Sequence, residues 1–319
     1  MSRILLTGGA GFIGSHVAER LLADGHSVTV VDNFDDFYDE AIKRDNIARA
    51  CRSDRYRLCR FDIRDPVGLE AALGPGPPDA IIHLAARAGV RPSLHNPALY
   101  EAVNVAGTLN LLELARRHHV PRFIFGSSSS VYGNNARTPF REDDNVDHPI
   151  SPYAATKRAG ELLCYTYHDL YGINVTCLRI FTAHGPRCRP DLAIPKFVRL
   201  IEAGQAVPMY GDGSSQRDYT YVGDIVDGIV RALGRCRGYR IYNLGSGCPV
   251  SLGELIQTIA EVMDRPVRIR SLPAQPGDVR LTHADISRAR QELGYQPRTS
   301  LVEGIRRYVH WYQRVLSRV

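Results

Sequence analysis

The sequence predicts an α/β protein built on a doubly wound parallel sheet, with a smaller α/β lobe toward the C-terminus. Three observations carry this. The first half alternates short apolar runs with stretches of helical period, the pattern of a parallel sheet covered on both faces. A glycine-rich turn, TGGAGFIGSH at 7–16, joins the first apolar run to the first helical stretch. After residue 181 Gly and Pro become denser and the strands shorten.

The elements follow in order. RILLT (3–7) is a short apolar run bounded by glycines and reads as a buried strand. Residues 12–24 form a helix with Phe12, Ile13, Val17, Leu21 and Leu22 on one face. SVTVVD (27–32) is the second strand, followed by YRLCRFD (56–62), DAIIHLA (79–85) and RFIFGS (122–127), with helices near 66–73 and 97–118. A helix over 152–171 leads into NVTCLRIF (174–181), and further helices lie near 192–203, 251–263 and 300–316. The expected division is a cofactor domain over 1–181, joined by segments near 218–248, and a substrate lobe over 182–319.

Composition narrows the function. Apolar residues make up 44% and charged residues 23%, ordinary for a soluble globular protein. No window approaches a membrane span, and the apolar run after Met1 stops at Thr7, which is no secretory signal. A cytoplasmic location is expected. The net charge of +6 is spread over scattered arginines with no basic run longer than two, which argues against nucleic-acid binding. Seven cysteines form no CxxC pair and eleven histidines no HExxH, so no metal site is expected.

TGGAGFIGSH places Gly8, Gly11 and Gly14 between a strand and a helix. Glycines there permit a tight turn and close approach of a pyrophosphate, and the helix N-terminus favours an anion. Asp32 ends the second strand, where an acid binds adenosine ribose hydroxyls and repels a 2′-phosphate. A Rossmann-type site for NAD, rather than NADP, is the reading; a purely structural glycine turn is the alternative.

SPYAATKRAGE (151–161) contains Tyr153 and Lys157, four apart and so on one helix face. An ammonium beside a phenol favours the phenolate and lowers its pKa, giving a general base. With three lysines and sixteen tyrosines in the chain, roughly 0.15 chance matches to YxxxK are expected.

Together with VDNF, FDIRD, HLAA, SSSSVYG, LRIF, RDYTYVGD and QPGD, all in order, these motifs resemble the extended short-chain dehydrogenase/reductase family in its nucleotide-sugar epimerase branch. The resemblance covers essentially the whole chain. It implies that Gly8, Gly11, Phe12, Ile13 and Gly14 cradle NAD, that Asp32 and Asn33 hold its adenosine ribose, and that Asp62 and Ile63 flank adenine. Leu84, Ala85 and Ala86 line the pyrophosphate side, Asn104 supports the site, and Lys157 also grips the nicotinamide ribose. Counting back from VYG, Ser128 takes the family's catalytic Ser/Thr position, 25 residues before Tyr153. A homodimer through the helices near 97–118 and 152–171 is implied as well.

Relatives that eliminate water resemble this stretch but carry Asp-Glu where this chain has Ser129-Ser130, and decarboxylases carry Glu at the position of Ser130. Epimerisation at C4 of a UDP-sugar, through a transient 4-keto sugar, needs only Tyr153, Ser128 and NAD. Arg217 matches the family arginine that binds the diphosphate, and Asp278 the residue that holds the uridine ribose. LRIFTAHGPRCRPD (178–191) and HLAARAGVRPSL resemble UDP-glucuronate 4-epimerases and put Thr182, Arg189 and Arg91 near the sugar, with Ser129 beside Ser128. Arg189 and Thr182 would hold a C6 carboxylate so that the 4-keto sugar does not lose carbon dioxide. The chain departs from that group at Ala183-His184, where an aromatic is usual second, and at Arg87, which replaces a common Gln. The expected activity is conversion of UDP-glucuronate to UDP-galacturonate. UDP-glucose 4-epimerisation, UDP-glucuronate decarboxylation and a silent NAD(H)-sensing protein are the alternatives.

Overall fold

The structure, a computed structural model, describes residues 1–273 and 279–316. The chain begins β1 (Arg3–Thr7), α1 (Phe12–Ala23), β2 (Ser27–Val31), α2 (Glu40–Ile47), β3 (Tyr56–Cys59), α3 (Pro66–Leu73) and β4 (Ala80–His83). It continues with α4 (Val90–His95), α5 (Pro97–Glu101), α6 (Gly107–Arg117), β5 (Arg122–Ser128), α7 (Pro152–Tyr171) and β6 (Asn174–Ile180). Then come β7 (Thr182–His184), α8 (Ala193–Glu202), β8 (Val207–Tyr210), β9 (Gln216–Tyr221), α9 (Val222–Gly234) and β10 (Tyr239–Leu244). The last elements are β11 (Pro249–Ser251), α10 (Leu252–Met263), β12 (Ile269–Leu272) and α11 (Leu301–Leu316).

Seven strands form one sheet in the order β10-β6-β5-β4-β1-β2-β3, with every pairing parallel. The order reverses between β1 and β4, so the loops leaving these two strands part and open a crevice at their C-terminal ends. Alternation along each strand feeds two apolar layers. Ile4, Leu6, Val28, Val30, Ile82 and Leu178 pack on one face with Val17 and Leu21 of α1 and Ile225 and Ile229 of α9. Leu5, Val31, Ile81, Phe123, Phe125 and Val175 pack on the other with Leu69 of α3, Leu111 of α6 and Cys164 of α7. Each such fully buried aliphatic side chain contributes about 1.5–3 kcal/mol.

Beyond β6 every strand except β10 lies outside the main sheet. β7 pairs with β9 in parallel and β9 with β11 antiparallel, while β12 pairs with β8. Asp218 on β9, fully buried, accepts hydrogen bonds from the amides of Ser246, Gly247 and Ala284 at 2.7, 2.9 and 3.1 Å. It thereby ties the smaller sheets to the loop that follows β10. The single helix expected over 97–118 is α5, a π-helical segment at Ala102–Ala106 and α6 in succession. Asn104 lies in that π segment and is buried.

Candidate active site

A cavity of about 850 Å³ opens at the C-terminal ends of the parallel strands. Its first wall is the turn between β1 and α1. Gly8 has φ +73, and a Cβ on it would lie 2.7 Å from the Ala85 amide; a Cβ on Gly14 would lie 2.0 Å from the Gly8 carbonyl oxygen. Side chains are therefore excluded at both positions by backbone, which does not give way. α1 starts at Gly11 with no side-chain cap and no acid in its first turn, leaving its leading amides available to an anion.

The loop after β2 supplies Asp32, which accepts from the Ala10 amide through Oδ2 and the Phe34 amide through Oδ1, both at 2.9 Å. Burial raises its pKa, against those two amides. Asn33 donates to Asp62 at 2.8 Å. Arg64, the main influence on Asp62, grips it at 2.9 Å and holds its carboxyl below the ordinary value. Asp32, Asn33, Asp62, Ile63, Leu84, Ala85 and Ala86 line the cavity, as do Gly8, Gly11, Phe12, Ile13 and Gly14. Tyr38 lines it too, and its buried hydroxyl has no hydrogen-bond partner. The glycine cradle, uncapped helix and paired acids fit an adenine dinucleotide. Asn104 lies behind the wall and clamps the Arg87 backbone, accepting from its N–H at 2.8 Å and donating to its carbonyl at 3.0 Å.

At the other end stand Ser128, Tyr153 and Lys157. Ser151 caps α7 by accepting from the Ala154 amide at 3.1 Å, and Pro152 follows at the first helical position. That start puts Tyr153 and Lys157 on one face toward the end of β5. The Ser128 hydroxyl, at the end of β5, donates to the Ser130 hydroxyl at 3.1 Å, accepts from the Ser130 amide at 3.2 Å, and acts on the Tyr153 phenol.

The electrostatics correct one expectation. The Tyr153 pKa lies above, not below, its ordinary value: burial raises it, and the Ser128 bond and the Arg189 charge work against the rise. Lys157, whose ammonium donates to the Gly126 carbonyl at 2.8 Å, is not among the groups that shift it. Burial itself lowers Lys157 from 10.5 to about 8. The cation that acts on the phenol is Arg189.

Arg189 lines the cavity with Ser129 and Thr182. Asp191 holds its guanidinium through two bonds, 3.0 and 2.9 Å, and, against burial, keeps it charged. Among the described residues lining the cavity the carboxylates are Asp32, Asp35, Asp36 and Asp62, all from the loops after β2 and β3. The end at Ser128 and Tyr153 carries only cations, Lys157 and Arg189.

Other expected residues are placed elsewhere. Arg91 stacks on the Tyr210 ring at 5.3 Å, and Arg217 lies on β9; neither lines the cavity. Asp278 is outside the described residues. His184, at the departure noted above, is buried at 1% exposure and lies outside the cavity wall, and burial lowers its pKa to about 3. Among the described residues no three or more His, Cys, Asp or Glu are grouped to hold a metal ion, and no helix is long and apolar enough to cross a membrane.

Sequence reasoning missed three groups. Lys43, Phe37 and Tyr38 line the cavity, although Phe37 and Tyr38 lie in the same VDNFDDFYDE stretch as Asp32, and Lys43 only three residues beyond that stretch. Arg87 lines it as well and is ion-paired to Asp35. Glu161, one turn beyond Lys157, accepts from Ser127 at 2.7 Å and takes Arg179 at 2.9 Å through both oxygens. Arg179 and Glu161 are 1% and 0% exposed. This pair anchors α7 to β6 and to the residue before Ser128.

Comparison with known proteins is consistent across the chain. The family model described as GDP-mannose 4,6 dehydratase matches residues 5–308. A UDP-glucuronate 4-epimerase of Thermodesulfobacterium geofontis is 41% identical over 312 residues, 98% of this chain and 96% of that protein. Among solved structures, the UDP-glucuronic acid 4-epimerase of Bacillus cereus, in complex with UDP-glucuronic acid and NAD, superposes with a TM-score of 0.91 at 33% identity, covering 98% of this chain and 99% of that one. The UDP-glucose 4-epimerase of Thermotoga maritima with UDP-glucose gives 0.91 at 32% identity, with the same coverage.

Proposed function

We propose, from the premise that this chain belongs to the GDP-mannose 4,6 dehydratase family of extended short-chain dehydrogenases/reductases, that it interconverts UDP-glucuronate and UDP-galacturonate. It is an isomerase, an NAD-dependent nucleotide-sugar 4-epimerase. The observation that carries the choice of sugar is the charge at the reacting end of the cavity. Its reacting end holds Lys157 and Arg189 and no carboxylate among the described lining residues. A sugar acid suits that end. A neutral hexose would give the half-buried guanidinium no second countercharge beside Asp191.

NAD, when bound, supplies a reversible hydride acceptor. The chain's own residues do the rest. Tyr153, as the phenolate that the Arg189 charge favours against burial, takes the proton from the C4 hydroxyl and gives it back. Ser128, which lines the same end of the cavity, holds the C4 oxygen. Lys157 keeps a positive charge below about pH 8 and positions the ribose hydroxyls. Arg189 offers donors beyond the two that Asp191 occupies and, with Thr182, fixes the C6 carboxylate in an unreactive orientation. Ser129 and Ser130 bring no acid, so neither water loss at C5–C6 nor assisted decarboxylation has its proton donor here.

Incubation of the protein with UDP-glucuronate and, separately, UDP-glucose, with products separated by chromatography, tests the reading. UDP-galacturonate as main product is expected. Turnover confined to UDP-glucose, or a UDP-pentose as main product, overturns it.

A further inference from the structure

The Phe37 ring carries two guanidinium groups. Arg87 lies 5.2 Å and Arg189 5.1 Å from its centroid. The three residues come from three separate loops, after β2, β4 and β7, and all line the same cavity as Asp32 and Tyr153. Each arginine is also held by acid: Arg87 is paired with Asp35 and, at 3.3 Å, with Asp36, and Arg189 with Asp191. The arginines are only 16% and 17% exposed, so the ring attracts them through little intervening water. The Arg87 backbone is fixed by Asn104 and Asp35 is held by Lys43, which leaves the side chains of Arg87 and Phe37 as the parts that separate.

We propose that Arg87, Phe37 and Arg189 form a clasp that closes the cavity over the bound dinucleotide, and that opening of the Arg87–Phe37 arm sets the rate at which the cofactor leaves. Glutamine at position 87 would supply neither the charge for Asp35 and Asp36 nor a cation for the ring, so this arm depends on the arginine. Asp36 is 98% exposed on its side chain, which makes the arm sensitive to salt. The clasp rests on the reading of this cavity as an NAD site.

The test measures release of NAD from loaded protein, with free cofactor detected by coupled alcohol dehydrogenase, at low and high NaCl, for the unmodified chain, Arg87→Gln and Phe37→Ala. Both variants are expected to release NAD about tenfold faster at low salt, the equivalent of one partly desolvated cation–π contact. Release from the unmodified protein should quicken with salt, and Arg87→Gln should lose that dependence. Release from both variants at the unmodified rate overturns the clasp. So does a salt-independent rate in the unmodified protein, a measurement that stands even where a variant does not fold. A protein that loads no NAD at all overturns the cofactor reading itself, a result distinct from either.

Discussion

Replacing Lys157 with methionine will abolish turnover and make the cofactor-free protein more stable. Lys157 is 5% exposed, and burial draws its pKa from 10.5 to about 8. At ~1.36 kcal/mol per pKa unit, holding the charged form in the folded state costs roughly 3 kcal/mol at neutral pH. Methionine fills similar space without charge, and the Gly126 carbonyl loses its donor, a loss of about 1 kcal/mol. The expected net gain of about 2 kcal/mol, set against an unfolding entropy of ~2.1 cal/mol/K per residue, raises Tm by about 3 °C. The sign follows from proton binding. Below about pH 8 folded and unfolded lysine both carry the proton, and the full penalty is present. Between there and 10.5 only the unfolded chain keeps it, and the penalty fades. The Tm difference between the two proteins, followed by thermal denaturation across that range, should therefore be largest at neutral pH and shrink toward alkaline pH. A variant less stable than the parent at neutral pH, or a difference that ignores pH, refutes the reasoning.

Tyr153→Phe should lower kcat at least about 10³-fold while NAD titration gives an unchanged Kd; retained turnover removes the phenol from the mechanism. Arg189→Ala should raise the KM for UDP-glucuronate about tenfold or more, the worth of a charge-assisted hydrogen bond, and divert product toward a UDP-pentose seen by chromatography. Glu161→Gln leaves the buried Arg179 guanidinium without its countercharge, and urea denaturation should show a loss of about 3–5 kcal/mol.

The alternation of elements was legible because both faces of a parallel sheet are buried, so each strand is a compact apolar run such as RILLT or AIIH. Helix α2 was not: EAIKRDNI buries only Lys43, Asn46 and Ile47, which leaves no apolar period to read. α9 was missed although Val222, Ile225, Val226, Ile229 and Leu233 recur at helical spacing. The π-helical segment at 102–106, in which Asn104 is buried, carries no sequence mark. At the site, the glycines and Asp32 were readable because a fixed backbone needs those residue types at those positions. The direction of the Lys157 ammonium was not, because side-chain spacing on a helix fixes a face and not a hydrogen-bond partner. Nor was the meeting of Arg87, Phe37 and Arg189, which lie far apart along the chain and touch only once three loops have converged.

The outer neighbour of β6 is β10, and it is synthesised about 60 residues later. At ~5–20 residues per second, a nascent β6 therefore waits roughly 3–12 s with one edge unpaired. During that interval Val175 to Ile180 offer any passing extended segment a template for pairing. The same holds permanently for a fragment ended at residue 181, which would keep every cofactor-lining loop up to β6 and still expose that edge. The dinucleotide half is thus not a portable module: its last strand is delivered by the half that follows it.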